Sequence, residues 1–149
     1  MIQHVWSVLC EGSSFDTETN RVSLFNILES LTVFTNSDPP ITIPISFEIV
    51  SLWTRTKDGE PAQGKMRVYY CMPSGENKQI AETDIDLKNV TFHRNRLKSQ
   101  GLGLSSAGPY VFRVEMQNQG ETDWQVVAYL PLLVSIKPLE PAHNKNKSE

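Results

Sequence analysis

Arg94, Arg96 and Lys98 crowd into the run His93-Arg94-Asn95-Arg96-Leu97-Lys98, the one local concentration of cations in the chain. In an extended segment these three share parity and form a single basic stripe, with Phe92 just before it as a stacking aromatic. Such a stripe can line a groove for phosphate or single-stranded nucleic acid. It is also how the outermost strand of a sheet repels foreign strands, and that use is the expected one. Asp84 and Asp86 stand two residues apart, so in a strand both carboxylates lie on one face, where a pair of acids could move protons or hold a hard cation. Calcium takes six or more oxygens, so a solvated outer face with Ile85 and Leu87 turned inward is expected instead. Asp16 sits in the first turn between Glu11 and Glu18 and could add ligands in space. A polar site built from loops would therefore be tested first at Asp16, Asp84, His93 and Arg94, with Arg96 and Lys98 as further binding candidates.

The remaining motifs argue against built-in chemistry. His4, His93 and His143 are far apart, and none has a Cys or carboxylate at zinc-ligand spacing. Gly12-Ser13-Ser14 lacks the second glycine of a nucleophile elbow. Gly101-Leu102-Gly103-Leu104 lacks the Lys-Ser/Thr pair of a phosphate loop and reads as a glycine-relaxed turn or bulge. No cofactor or metal is expected. With 39% hydrophobic residues, 21% charged residues and a formal charge of −3, there is no global basic field to collect nucleic acid. No apolar run approaches the roughly 18 residues that span a bilayer. Met1 to Cys10 has no Lys or Arg and mild alternation, which reads as a first strand rather than an export signal, so a cytoplasmic location is expected. In that reducing setting Cys10 and Cys71 are expected to be two buried thiols; Trp53 falls too late between them for the disulfide pattern of antibody domains.

The elements that would position these residues are strands. Tyr110, Phe112, Val114 and Met116 alternate against Arg113, Glu115 and Gln117, and after the polar run Asn118 to Asp123 the alternation resumes from Trp124 to Ile136. That is a β-hairpin with one face committed to a core. Upstream, Ile2 to Ser14 and Val22 to Val33 read as an N-terminal hairpin around the turn residues Asp16 to Asn20. Asn36 to Pro44 is loop-like and should cross between sheet edges. Ile45 to Trp53 and Lys65 to Met72 are further strands. From Gln79 to Arg96 the phase changes near Lys88-Asn89, as a bulge would cause. No segment carries helical periodicity over a useful length, so eight or nine strands are expected.

Two resemblances attach to these residues. Val8-Leu9-Cys10-Glu11-Gly12, Asp16, Thr19-Asn20-Arg21 and Val22 to Glu29 resemble the opening of an uncharacterised bacterial and phage-associated family known only as a domain of unknown function; this implies an all-β domain and brings no activity. Ser106-Ala107-Gly108-Pro109-Tyr110 followed by an alternating strand resembles the penultimate strand of immunoglobulin-like sandwiches and implies architecture only.

The expected fold is all-β: a single antiparallel β-sandwich over residues 1–137, immunoglobulin-like, with a closed barrel as the alternative, and a disordered tail over 138–149. The preferred function is a non-enzymatic module whose loops or exposed strand edge bind another protein, including a second copy of itself, with Trp6, Trp53, Tyr69 and Tyr129 as possible anchors. The competing class is an enzyme or a small-ligand or nucleic-acid binder with its site around Asp84, His93, Arg94 and Arg96.

Overall fold

A computed structural model describes residues 1–141, in nine strands: β1 (Ile2–Phe15), β2 (Val22–Ile27), β3 (Ser30–Phe34), β4 (Ile41–Arg55), β5 (Ala62–Cys71), β6 (Asn77–Leu87), β7 (Phe92–Leu104), β8 (Gly108–Asn118) and β9 (Gln125–Lys137). They form a four-stranded sheet in the order β2-β1-β4-β7 and a five-stranded sheet in the order β3-β9-β8-β5-β6. The chain is all-β, and a sandwich of two sheets fits the arrangement. The tail expected over 138–149 falls largely outside the described residues.

Alternation sets the inner faces. Phe47, Ile49 and Trp53 of β4 meet Met66, Val68 and Tyr70 of β5 and Tyr110, Phe112, Val114 and Met116 of β8 in one buried cluster. At roughly 25 cal/mol per Å² of apolar surface, this layer is the main force holding the sheets together. Tyr70 stacks on Tyr110 and Phe112 at ring separations of 5.3 and 5.0 Å. Polar bonds then pin one sheet to the other. The Tyr70 hydroxyl donates to Gly103 O at 2.7 Å, and Ile2 N donates to Asn118 Oδ1 at 2.8 Å. Burial raises the Tyr70 pKa above the ordinary phenol range, so this donor stays protonated.

Several expectations need correction. The sheets are not purely antiparallel, because β3 runs parallel to β9. The run Val22 to Val33 is two strands, not one. Asn26 takes a left-handed φ of 52°, Leu28 N makes a bond to Leu9 O, and Leu133 N then bonds Glu29 O, so the chain leaves β1 and joins β9 in the other sheet. β4 begins at Ile41 rather than Ile45, with Pro44 lodged at the register break between Ile43 and Ser46, where no ladder donor is required. The phase change near Lys88 is a crossing from one sheet to the other, not a bulge. A bulge does occur in β9. Register slips between Val114 and Glu115, turning Val126 out to solvent and Val127 in toward the core.

Candidate interaction surface

The candidate residues do not form one site. Arg94, Arg96 and Lys98 do share one face of β7, opposite Leu52, Val50 and Glu48, but their charged ends are engaged within the molecule. The Arg94 guanidinium donates to Asn20 Oδ1 and Asn20 O, both at 3.0 Å. Arg96 lies 4.5 Å over the Phe15 ring, and Lys98 pairs with Glu48 at 3.7 Å. Ser13 Oγ donates to the same Glu48 carboxylate. The stripe thus fastens the end of β1 and its turn across β4, which explains why Val50 is buried although it faces away from the core.

His93 points to the opposite face of β7, where its Nε2 lies 3.2 Å from Asn95 Nδ2. Asp84 is on β6, its side chain exposed and its carbonyl accepting from Asn95 Nδ2 at 3.1 Å. Asp16 accepts from Glu18 N and Thr19 N, and these bonds hold its carboxyl below the usual carboxylate range. It serves the turn. Among the described residues there is no group of three or more His, Cys, Asp or Glu placed to hold a metal ion.

The cysteines correct one expectation and keep another. Both are free; Cys10 is buried but Cys71 is only half-buried. Burial pushes the Cys10 thiol up, with Glu48 adding to the effect. Of the possible anchors, Trp53 is buried in the core, whereas Tyr129 is 65% exposed.

A polar relay that the sequence did not reveal runs through β1 and β4. His4 Nε2 lies 2.8 Å from Ser7 Oγ, which lies 2.7 Å from Ser51 Oγ, while the His4 ring sits edge-on to Trp53 at 5.1 Å. Burial lowers the His4 pKa, against a smaller opposing backbone bond at Trp6. A depressed histidine is neutral in the fold, and the unfolded chain takes up its proton first as pH falls. Stability from His4 is therefore full above about pH 6.5 and declines as pH drops from there toward the lower folded value. Urea unfolding at pH 7.5 and pH 5 should show a drop that His4→Gln reduces; an identical drop in the variant would reject this assignment.

The outer face of the five-stranded sheet carries a second cluster. Glu115, 5% exposed, accepts from Arg67 Nε at 2.5 Å and Arg113 Nε at 2.8 Å. Arg67 lies 4.1 Å over the Trp124 ring and 5.0 Å from Tyr69, and Arg113 lies 4.8 Å over Tyr69. This locks together β5, β8 and the loop before β9.

The sharpest contrast is between the strand edges. β7 and β6, the outermost strands on one side, carry Arg94, Arg96 and Lys98 and Lys78, Glu82, Asp84 and Asp86, and the Asn95–Asp84 bond joins them. β2 and β3, outermost on the other side, contain no charged residue. Phe25, Ile27, Phe34 and nearby Leu133 are each more than half exposed. Ile27 and Leu28 border a mainly apolar recess of about 330 Å³ with Leu9, Leu130 and Pro131, where β2 leaves one sheet for the other; the exposed Glu29 is the one charged residue in its lining. The signal for this side lay in the uncharged runs 22–28 and 30–35, which periodicity alone does not weigh. No protein-family model matches the chain, and no curated protein matches it.

Proposed function

We propose that this protein is a non-enzymatic interaction module that docks a protein partner through its β2–β3 side. The observation that carries the reading is a pair of outer strands without a charged residue, with Phe25, Ile27, Phe34 and Leu133 displayed beside a mainly apolar recess whose one charged lining residue is Glu29. Proteins blunt unused edges with charge, as β6 and β7 do here, so an uncharged edge bearing large apolar side chains supports use as an interface. The separation of His93, Arg94 and Asp84 onto different faces and strands favours binding over catalysis. An immunoglobulin-like arrangement is the finer reading of the architecture. It is supported by Tyr110, whose hydroxyl donates to Ser106 O at 2.7 Å and accepts from Ser105 N and Ser106 N, as the tyrosine corner of such domains does.

The test compares affinity capture from source cells by the wild-type chain, Ile27→Lys/Phe34→Lys and Arg94→Glu/Arg96→Glu. A partner held by wild type and by the arginine variant, but bound at least about tenfold more weakly by the lysine variant, is expected for anchor residues. Equal retention by all three would refute the docking side.

A further inference from the structure

Among the described residues, the β2–β3 side includes a gap bounded by two strand edges with no strand between them. Glu29 O and Thr35 N both bond to β9, and the groups of an extended strand alternate sides. The N–H and C=O of Thr32 therefore lie along the opposite, unpaired edge of β3. Across the gap, Ile41–Ile43 of β4 pair on one side with Leu104–Leu102 of β7. On the other side β1 joins β4 only from Glu48 onward, opposite Cys10, so the first half of β4 has a second unpaired edge. β3 and β4 do not pair, yet both line one cavity of about 520 Å³. A strand added to either edge needs about 4.8 Å on its paired side, and the cavity that β3 and β4 share supplies that space.

The lining fixes the occupant. Leu31, Val33, Ile41, Ile43 and Ile45 are partly buried and pack against the core, forming a continuous apolar floor. Among the described residues, no charged one lines the gap. We infer that the slot between β3 and the first half of β4 accepts an extended peptide segment from a partner, added as a strand, with apolar side chains at every second residue and no charge at its centre. Backbone bonds to the Thr32 edge supply affinity, and the apolar floor selects the alternate side chains. A second folded copy does not fit this slot, because each of its strands is tied to a neighbour that would have to enter too. This inference rests on the docking reading above and specifies how the partner is held.

The probe is a library of linear dodecapeptides displayed on phage, selected against the whole chain, with the enriched sequence then made synthetically. Enrichment of peptides with apolar residues two apart is expected, and the bound peptide should slow hydrogen exchange at the Thr32 amide at least tenfold. Thr32→Pro removes the slot-facing donor while sparing the donors that β3 gives to β9, and should weaken the peptide at least tenfold; Thr32→Ala, which keeps the N–H, should bind as wild type does. Enriched peptides without the two-residue period, or binding that leaves Thr32 exchange unchanged, would overturn strand addition, as would capture of the cellular partner that is sensitive to Ile27→Lys and indifferent to Thr32→Pro. That last result would keep the docking side intact, whereas insensitivity to both variants would remove the docking reading as well.

Discussion

Glu115→Ala is expected to lower unfolding stability by about 2–3 kcal/mol, because it leaves the Arg67 and Arg113 guanidiniums facing each other with their shared carboxylate gone. Breaking a buried pair usually costs about 3–5 kcal/mol; the lower figure applies because both arginines keep roughly a quarter of their exposure and so some of their hydration. The stack of Arg67 between Trp124 and Tyr69 should loosen as well, since the carboxylate fixes the guanidinium plane. Urea unfolding is the measurement, with Glu115→Gln falling between alanine and wild type. Replacing all three charged residues together, as Arg67→Met, Glu115→Leu and Arg113→Met, should recover much of the loss. A change under about 0.5 kcal/mol for Glu115→Ala would mean that the cluster is a solvated surface pair, which the burial of Glu115 contradicts.

Gly64→Ala carries the other large effect. A Cβ there would stand 2.2 Å from Gln117 O and 2.7 Å from Ile2 Cδ1. The methyl group of Ile2 can swing aside, but the carbonyl belongs to β8, which faces Gly64 in the ladder at Asn118. Relief requires β5 and β8 to separate locally, and the shift would pull Asn118 away from Ile2 N, one of the bonds between the sheets. Overpacking of this kind costs about 1–3 kcal/mol, and the loss of that bond adds about 1 more. Gly103→Ala provides the contrast, since its added Cβ meets nothing within 4 Å. Melting curves should show a severe loss for the first variant and almost none for the second; similar melting points would show that β5 and β8 are not held at the spacing described.

Much of this follows from side-chain order along the chain. Alternation in Ile45 to Trp53 and in Tyr110 to Met116 names the inward residues correctly, because a strand with one buried face has no freedom to choose otherwise. Asp84 and Asp86 do lie outward with Ile85 and Leu87 inward, as their spacing requires. Other expectations failed where local pattern carries no signal. The apolar run from Val22 to Val33 reads as one strand because both halves are equally hydrophobic, and nothing in that pattern reports which partner each half finds. Glu115 looks like an ordinary outward residue, since its burial depends on Arg67 from a strand far away in the chain. The basic stripe reads as free charge, since Asn20 and Phe15 meet it only after the first hairpin folds across β4, and Glu48 only once β4 pairs with β7.

The order of residues by itself determined strands rather than helices, the faces that enter the core, the turns, and the two uncharged runs, 22–28 and 30–35, on either side of Glu29. These are consequences of periods two residues long and of local backbone chemistry. Tertiary structure alone decided which strands neighbour one another, that β3 runs beside β9, and that among the described residues the far edge of β3 and one edge of the first half of β4 have no strand partner. Such contacts join residues distant in the chain, and their geometry comes from packing two twisted sheets over one core.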